Sequence, residues 1–276
     1  MRFILRVVTC VLVLACVAQA AVASPRANAV LDALRISDLL HIMEVESIQS
    51  AQDLDDSMLG GTGGTSWRQI VARINDPVRI EREIRKVFSD EMPAELATSA
   101  EAFLGSTQGQ RIVELELSAR EALLDPAIDQ MNRAALRDMR DSELARFDKI
   151  TEFVEINNLV DANVVGAMTG NLAFLRGLRG GGFPAYADVS DAEIAAEVWA
   201  REPELRVDTE EWVYGFLTLA YRPLSDDDLE ALIAFSDTDA GRALNRALFY
   251  SFDKVFTKTS RALGEALAFQ LSGEEI

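Results

Sequence analysis

The chain has 276 residues, of which 45 are acidic and 27 are basic, and its formal net charge is −18. A composition that is 49% hydrophobic and 26% charged is typical of a folded globular protein and excludes collagen-like, disordered and multi-span membrane proteins. The acidic balance excludes nucleic acid and anionic lipid surfaces as expected partners, because binding to phosphate groups depends on Lys and Arg. We therefore expect a folded acidic protein that binds neither.

The N-terminus has the pattern of a secretory signal peptide. Two arginines precede an apolar run over residues 7–18, and Ala21 and Ala23 form a small-residue cleavage site before Ser24. The run is shorter than the ~20 apolar residues that a membrane-spanning helix needs. The pattern predicts a signal peptide over 1–23, export to the periplasm and no transmembrane anchor in the mature chain, whose formal charge would be −20.

A lipid anchor is the alternative interpretation of the same segment. Residues 13–16 resemble a bacterial lipoprotein box that ends in Cys16, although the downstream Ala-x-Ala site fits a signal peptidase better. Cys10 and Cys16 both precede the predicted cleavage site, so a mature chain beginning at Ser24 has no thiol and no disulfide. Its stability would depend on its hydrophobic core.

The spacing of apolar residues predicts helices throughout the mature chain and few strands. The fold class we expect is all-α: a multi-helix bundle, with an organisation that allows two related helical lobes. We divide it into an N-terminal helical segment at 24–58, a Gly-rich linker at 59–66, a first lobe at 67–180 and a second lobe at 185–276. The linker lacks the Lys-Ser/Thr ending of a phosphate-binding loop.

Particular helices are predicted from their periodicity and their capping residues. A capping box at Ser190 and Glu193 begins one helix, and the residues from Asp208 to Glu211 repeat its pattern. Ser225 has the position of an N-cap for a short helix. The other predicted helices lie at about 92–104, 107–122, 126–139, 142–178 and 238–271.

Two segments of the chain are similar to each other. Residues 102–113 read AFLGSTQGQRIV, and residues 234–245 read AFSDTDAGRALN. In each segment a Phe would fill the core at the end of one helix, Ser or Thr would cap the next helix, and Gly would allow a close approach. Chance recurrence and true duplication are both compatible with this similarity. The positions involved are Phe103, Ser106 and Gly109 in the first copy, and Phe235, Thr238 and Gly241 in the second.

The second copy carries a resemblance to a known family. The stretch from Leu224 to Phe235, followed by Thr238 to Arg242, resembles the signature of a bacterial exported family called domain of unknown function 2059. Its apolar positions include Leu229 and Leu232. The resemblance covers residues 224–271, with a second copy near 92–122. It implies an all-helical protein of the cell envelope, and it brings no catalytic residue with it.

The residue inventory excludes several common catalytic sites. His41 is the only histidine and the mature chain has no cysteine, so Cys- or multi-His zinc sites and di-iron Glu-x-x-His pairs are excluded. No Gly-x-Ser-x-Gly motif is present for a triad. We interpret His41 as an ordinary polar residue on a helix. We predict no catalytic, cofactor-binding or metal-binding residues and no cofactor.

Carboxylate chemistry needs only two acids and stays open as an alternative. Glu114 and Glu116 lie two positions apart on a predicted helix, so at most one of them shares the solvent face with Arg111 or Arg120. A buried Glu at either position would first be interpreted as a structural ion pair with Arg.

Two acidic clusters are candidates for calcium sites because calcium binds carboxylate oxygens. They do not have the spacing of an EF-hand loop and fit solvated helix ends better. They are Asp53, Asp55 and Asp56, and Asp237 and Asp239.

An aromatic group in the second lobe could form a core or line a ligand cleft, and the helical spacing of Trp212 and Phe216 favours core packing. The group consists of Trp199, Trp212, Tyr214, Phe216 and Tyr221, near Phe183 and Pro184. The function we expect is a non-enzymatic binding module of the envelope, with another envelope protein or a small apolar ligand as partner. The alternative is a carboxylate-dependent hydrolase of an envelope polymer.

Overall fold

The structure, a computed structural model, describes residues 25–142 and 144–272. Within these ranges the chain is helical and has no strand, which confirms the predicted all-α multi-helix bundle. The residues of the predicted signal peptide and its cleavage site, including Cys16, Ala21, Ala23 and Ser24, lie outside the described part.

The helices follow one another with short connections. In chain order they are α1 (Pro25–Ala33), α2 (Ile36–Leu54), α3 (Gly64–Ile74), α4 (Pro77–Glu91), α5 (Ala94–Leu104), α6 (Thr107–Ala122), α7 (Pro126–Ser142), α8 (Leu144–Ile156), α9 (Leu159–Gly180), α10 (Asp191–Ala200), α11 (Glu202–Tyr221), α12 (Asp226–Ser236) and α13 (Asp239–Ser272). One turn of π-helix, Asp55–Leu59, extends α2, and a 3-10 turn, Pro184–Tyr186, precedes α10.

Side-chain caps fix several helix starts. At α10 the Ser190 hydroxyl accepts from the Glu193 amide, and the Glu193 carboxylate accepts from the Ser190 amide, which is the predicted capping box. The Ser225 hydroxyl likewise accepts from the amide of Asp228 and caps α12. These local signals were sufficient to place both helices.

Two helix predictions were wrong. The segment predicted as one helix at 142–178 is broken between α8 and α9, where Asn158 has a left-handed backbone with φ 49°. Asn is among the residues that adopt this conformation most readily. The predicted cap from Asp208 to Glu211 lies inside α11, which already begins at Glu202 and has Pro203 in its first turn.

The core brings together helices that are distant in sequence. One buried cluster joins Ile84 and Phe88 of α4 to Leu244 and Val255 of α13. A second joins α6 and α8 to α11 and α12, and a third joins α3 and α9 to the end of α13. The segments predicted as first and second lobes therefore contribute to common cores.

The helices α9 and α13 pack along each other at a very short distance. A Cβ atom added to Gly177 of α9 would lie 2.2 Å from the Arg261 carbonyl oxygen. A Cβ atom added to Gly264 of α13 would lie 2.1 Å from the Phe174 carbonyl oxygen. These two positions therefore require glycine for steric reasons.

The Gly-rich segment predicted as a linker is a compact turn. The carboxylate of Asp55, which is buried, accepts hydrogen bonds from the amides of Gly63 at 2.8 Å and Gly64 at 3.2 Å. The fully buried indole of Trp67 donates to the Ala51 carbonyl at 2.8 Å. An internal carboxylate thus occupies the amides that a phosphate-binding loop would offer to a ligand.

Among the described helices, none combines the length and the apolar character needed to cross a lipid bilayer.

Candidate functional site

A groove lies between α9 and α11 on the surface of the described chain. On α9, the lining side chains recur every four residues, at Asn163, Ala167 and Asn171. This spacing places them on one face of the helix. The lining residues of α11 lie opposite this face, and the exposed faces of the two helices form the walls of the groove.

One end of the groove is a cavity of about 200 Å³ that also contacts α10. Four apolar side chains line it together with three carboxylates, one amide and one guanidinium. The apolar residues are Phe174, Leu175, Val198 and Leu205, and the polar ones are Glu197, Glu204, Asp208, Asn171 and Arg201. An apolar wall with a few polar groups is the usual composition of a ligand pocket.

The other end of the groove is a wider opening of about 470 Å³ between α7, α9 and α11. Its lining residues are Arg133, Asn163, Ala167, Asp208, Thr209 and Trp212. Since Asp208 borders both cavities, they form one continuous groove. By the 1.5 Å rise per residue of an α-helix, the lining from residue 201 to residue 212 spans roughly 17 Å.

The charges of the groove are only partly compensated. Arg133 forms ion pairs with Asp129 at 3.0 Å and with Glu211 at 3.2 Å, so its charge is compensated within the protein. Within the described residues, Glu204 and Asp208 form neither an ion pair nor a side-chain hydrogen bond, and both are exposed. The groove is therefore locally acidic.

Glu197 is held in place by the turn that precedes α10. The Tyr186 hydroxyl donates a hydrogen bond of 2.9 Å to the Glu197 carboxylate. Burial and the neighbouring Glu197 carboxylate raise the pKa of Tyr186 to about 12. Tyr186 therefore stays neutral and keeps donating this hydrogen bond, which orients the Glu197 carboxylate.

Trp212 closes the wide end of the groove and is 37% exposed. Its indole stacks on Phe216 with ring centroids 5.5 Å apart, and the Arg120 guanidinium lies 5.7 Å from the indole centroid. Arg120 in turn donates two hydrogen bonds of 2.8 Å each to the carboxylate of Glu46. Side chains of α2 and α6 therefore position Trp212.

Glu116, which is half-buried, and Tyr221, which is fully buried, form a hydrogen-bonded pair across the contact between α6 and α11. The Tyr221 hydroxyl donates to the Glu116 carboxyl at 2.6 Å. Burial raises the pKa of Glu116, and the hydrogen bond from Tyr221 opposes that rise. Glu114 points outward and forms an ion pair with Arg111 at 3.1 Å. The opposite orientation of the two acids was predicted, whereas the prediction of Arg as the buried partner was wrong.

The two similar segments have matching geometry. Ser106 accepts a hydrogen bond of 3.0 Å from the amide of Gly109 and donates to the Phe103 carbonyl at 2.7 Å. In the second segment the corresponding distances at Thr238 are 3.0 Å and 2.6 Å. The predicted caps are therefore both present, and the structural role of these residues is to form two alike helix–turn–helix units.

The other residues of the family-like signature lie in the core. Leu229 is fully buried, and Leu232 is 7% exposed in the same cluster. Gly241 and Gly109 each lie against the backbone of the preceding helix, where an added Cβ atom would lie 2.3 Å and 2.2 Å from a carbonyl oxygen. The signature thus describes packing, and its residues do not line the groove.

The aromatic group does not form one cluster. Tyr214 and Tyr221 are buried in the core, whereas Trp199 is 67% exposed, which is contrary to the expected core packing. Phe183 belongs to a different cluster, where it packs near Tyr186.

The remaining candidates are located as follows. His41 is exposed on α2, and its Nδ1 lies 2.6 Å from the Ser37 carbonyl oxygen. In the described part of the chain, no group of three or more Asp, Glu, His or Cys side chains is arranged to hold a metal ion. Of the acidic positions that were predicted to be solvated helix ends, Asp55 is buried, contrary to that prediction, and the other four are exposed.

Sequence reasoning missed most of the groove. A signal was available, because α9 and α11 both place polar or small residues at intervals of four on a face adjoining their buried residues. The two faces lie next to each other only because of tertiary packing. The spacing of residues along each helix gives no information about that packing.

No protein-family model, no curated protein and no solved structure matches this chain. The resemblance to the exported family therefore stays a prediction from its residues.

Proposed function

We propose that this protein is an exported, non-enzymatic binding module of the bacterial cell envelope, and that its ligand binds in the groove between α9 and α11. The signal-peptide pattern supports export, and the resemblance at residues 224–271 supports an envelope location. The structure contributes the groove itself.

The continuous groove from Arg201 to Trp212 is the observation that carries this proposal. Its apolar side chains would contact a ligand, and its carboxylates and amides would orient that ligand by hydrogen bonds. Glu204 and Asp208 are exposed beside the apolar cavity and form no ion pair among the described residues, so both can contact a ligand. A binding role accounts for this arrangement.

The alternative, a carboxylate-dependent hydrolase, needs two acids facing each other across a cleft. Glu116 has the raised pKa of a general acid, but the group that faces it is the Tyr221 hydroxyl. Asp55, the other interior carboxylate of the described chain, binds backbone amides in a separate part of the core. The three carboxylates that border the groove, Glu197, Glu204 and Asp208, are all exposed, so none of them has the burial that the general acid of such a site needs. This arrangement favours binding over hydrolysis.

Native mass spectrometry of the protein purified from its own cell envelope tests the proposal. We expect the wild type to retain an additional mass and the variant Asn171→Trp, which fills the groove, to lose it. Val165→Trp is the matched control, because Val165 lies on the same helix, is 60% exposed and does not line the groove. An additional mass that persists in Asn171→Trp, or a wild type that retains none, would contradict binding in the groove.

Export is tested separately by sequencing the N-terminus of the mature protein. We expect it to begin at Ser24. A lipid-modified N-terminus at Cys16 would indicate an anchored protein, and an intact N-terminus in the cytoplasm would contradict export.

A further inference from the structure

We propose that the cavity between α9, α10 and α11 binds an alkylammonium group, which is a protonated amine carried on a short apolar chain. This inference rests on the proposed function and specifies the chemistry of its ligand. It follows from the apolar wall of the cavity and from the charges at its rim.

The apolar wall fits the methylene chain of such a ligand. Phe174 and Leu175 come from α9, Val198 comes from α10 and Leu205 comes from α11, so three helices enclose one side of the cavity. Each methylene group that moves from water into this environment stabilises the complex by the hydrophobic effect. A cavity of about 200 Å³ has room for a short apolar chain.

The carboxylates at the rim fit the charged end. Glu204 and Asp208 are one helical turn apart on α11, which places them roughly 6 Å from each other along the helix. Glu197 faces the same cavity from α10 and is oriented by Tyr186. An ammonium group has three donors and no acceptor, so three carboxylates can accept from it.

The rim has an excess of negative charge. Arg201 is its only cation close to these acids among the described residues, and no ion pair connects it to Glu197 or Glu204. Lys149 shows the contrast, because it pairs with Asp226 at 3.0 Å and with Glu230 at 2.7 Å. Among the described residues, no cation forms an ion pair with the three acids of the rim. A cationic ligand would supply the missing charge, whereas an anionic ligand would be repelled.

Two sources share this chemistry: a free diamine and the lysine side chain of a partner protein. Isothermal titration calorimetry of the full mature chain at low salt distinguishes them. The probes are 1,4-diaminobutane, a short peptide with one central lysine, and the same peptide with norleucine in place of lysine. We expect at least one of the two amines to bind and the norleucine peptide not to bind.

The variant with Glu204→Gln and Asp208→Asn isolates the contribution of the rim. Each substitution preserves the shape of an exposed side chain, so the fold is retained, and circular dichroism verifies this. We expect the affinity for the amine to fall about tenfold or more, because the variant removes two charged acceptors of the ammonium group. Glu121→Gln, an exposed charge on α6, is the matched control and should leave the affinity unchanged.

The outcomes separate this inference from the proposed function. Binding of the diamine supports a small-molecule source, and binding of the lysine peptide alone supports a partner protein. If neither amine binds, or if the rim variant binds as the wild type does, the alkylammonium proposal is overturned. A retained envelope mass that Asn171→Trp abolishes would then still support a binding groove for a ligand of different chemistry.

Discussion

The phenyl rings of Phe103 and Phe235 lie face to face, with their centroids 4.1 Å apart and their planes inclined by 5°. They occupy the same position in two helix–turn–helix units whose caps have matching distances, and they are 132 residues apart in the sequence. The two units therefore meet through equivalent side chains. This arrangement favours duplication of one unit over chance recurrence, because independently formed turns would not be expected to pair in this way.

A double-mutant cycle measures the stack. We expect Phe103→Leu and Phe235→Leu each to lower the free energy of unfolding by about 1–3 kcal/mol. The double variant should lose less than the sum of the two single losses, because aromatic pairs contribute about 0.5–1.5 kcal/mol beyond their buried area. Phe183→Leu combined with Phe103→Leu should be additive, because Phe183 lies in another cluster. If the losses in the free energy of unfolding from Phe103→Leu and Phe235→Leu are additive, the stacking of the two rings contributes no interaction energy.

The turn glycines provide a second test of the equivalence of the units. Gly109→Ala and Gly241→Ala should destabilise the protein by similar amounts, about 1–3 kcal/mol each, because the new Cβ atoms would contact the carbonyls of Phe103 and Phe235. Gly166→Ala is the control: this glycine lies inside α9 with open space around it, so the substitution should stabilise by up to about 1 kcal/mol. Thermal denaturation of the three variants gives the comparison, and unequal losses at the two turns would argue against equivalent units.

The contact between α9 and α13 makes Gly264 a further sensitive position. Gly264→Ala would place a Cβ atom against the backbone of α9 at Phe174, whose side chain lines the groove. We therefore expect a lower melting temperature together with weaker ligand binding. Gly166→Ala, also on α9, should lower neither the melting temperature nor the affinity for the ligand. If Gly264→Ala has wild-type stability, the two helices are less closely packed than the contact of Gly264 with the Phe174 carbonyl indicates.

The sequence was sufficient for features that depend on neighbouring residues. Ser190, Ser225 and the turns at Ser106 and Thr238 each cap a helix through an amide three residues away, so the pattern and the contact lie in the same short segment. The break at Asn158 was missed because the apolar spacing continues on both sides of it.

Features that depend on distant residues could not be read in this way. The partner of Glu116 is 105 residues away, and only the packing of α11 against α6 brings the Tyr221 hydroxyl to it. The groove similarly depends on which faces of α9 and α11 adjoin. Composition excluded whole classes of site, but it did not indicate where the chain folds into a cavity.

The pair of Glu116 and Tyr221 leads to a prediction about pH. Burial raises the pKa of Glu116 in the folded protein above its value in the unfolded chain. Its contribution to stability is therefore complete below the unfolded pKa. It is lost as the pH rises from the unfolded pKa toward the folded one, because the unfolded state releases its proton first.

Glu116→Gln should remove this dependence, since glutamine keeps an oxygen that accepts from the Tyr221 hydroxyl and does not ionise. As the pH rises above the ordinary pKa of Glu, the free energy of unfolding of the wild type should fall relative to that of Glu116→Gln. The slope of this difference is at most about 1.4 kcal/mol per pH unit. Urea denaturation between pH 4 and pH 8 measures the difference, and Glu114→Gln, at an exposed ion pair on the same helix, is the control. If the wild-type and Glu116→Gln curves stay parallel over this range, the Glu116 carboxyl is ionised in the folded protein. The contact between α6 and α11 would then have to accommodate a buried charge, which the hydrogen bond from Tyr221 would stabilise.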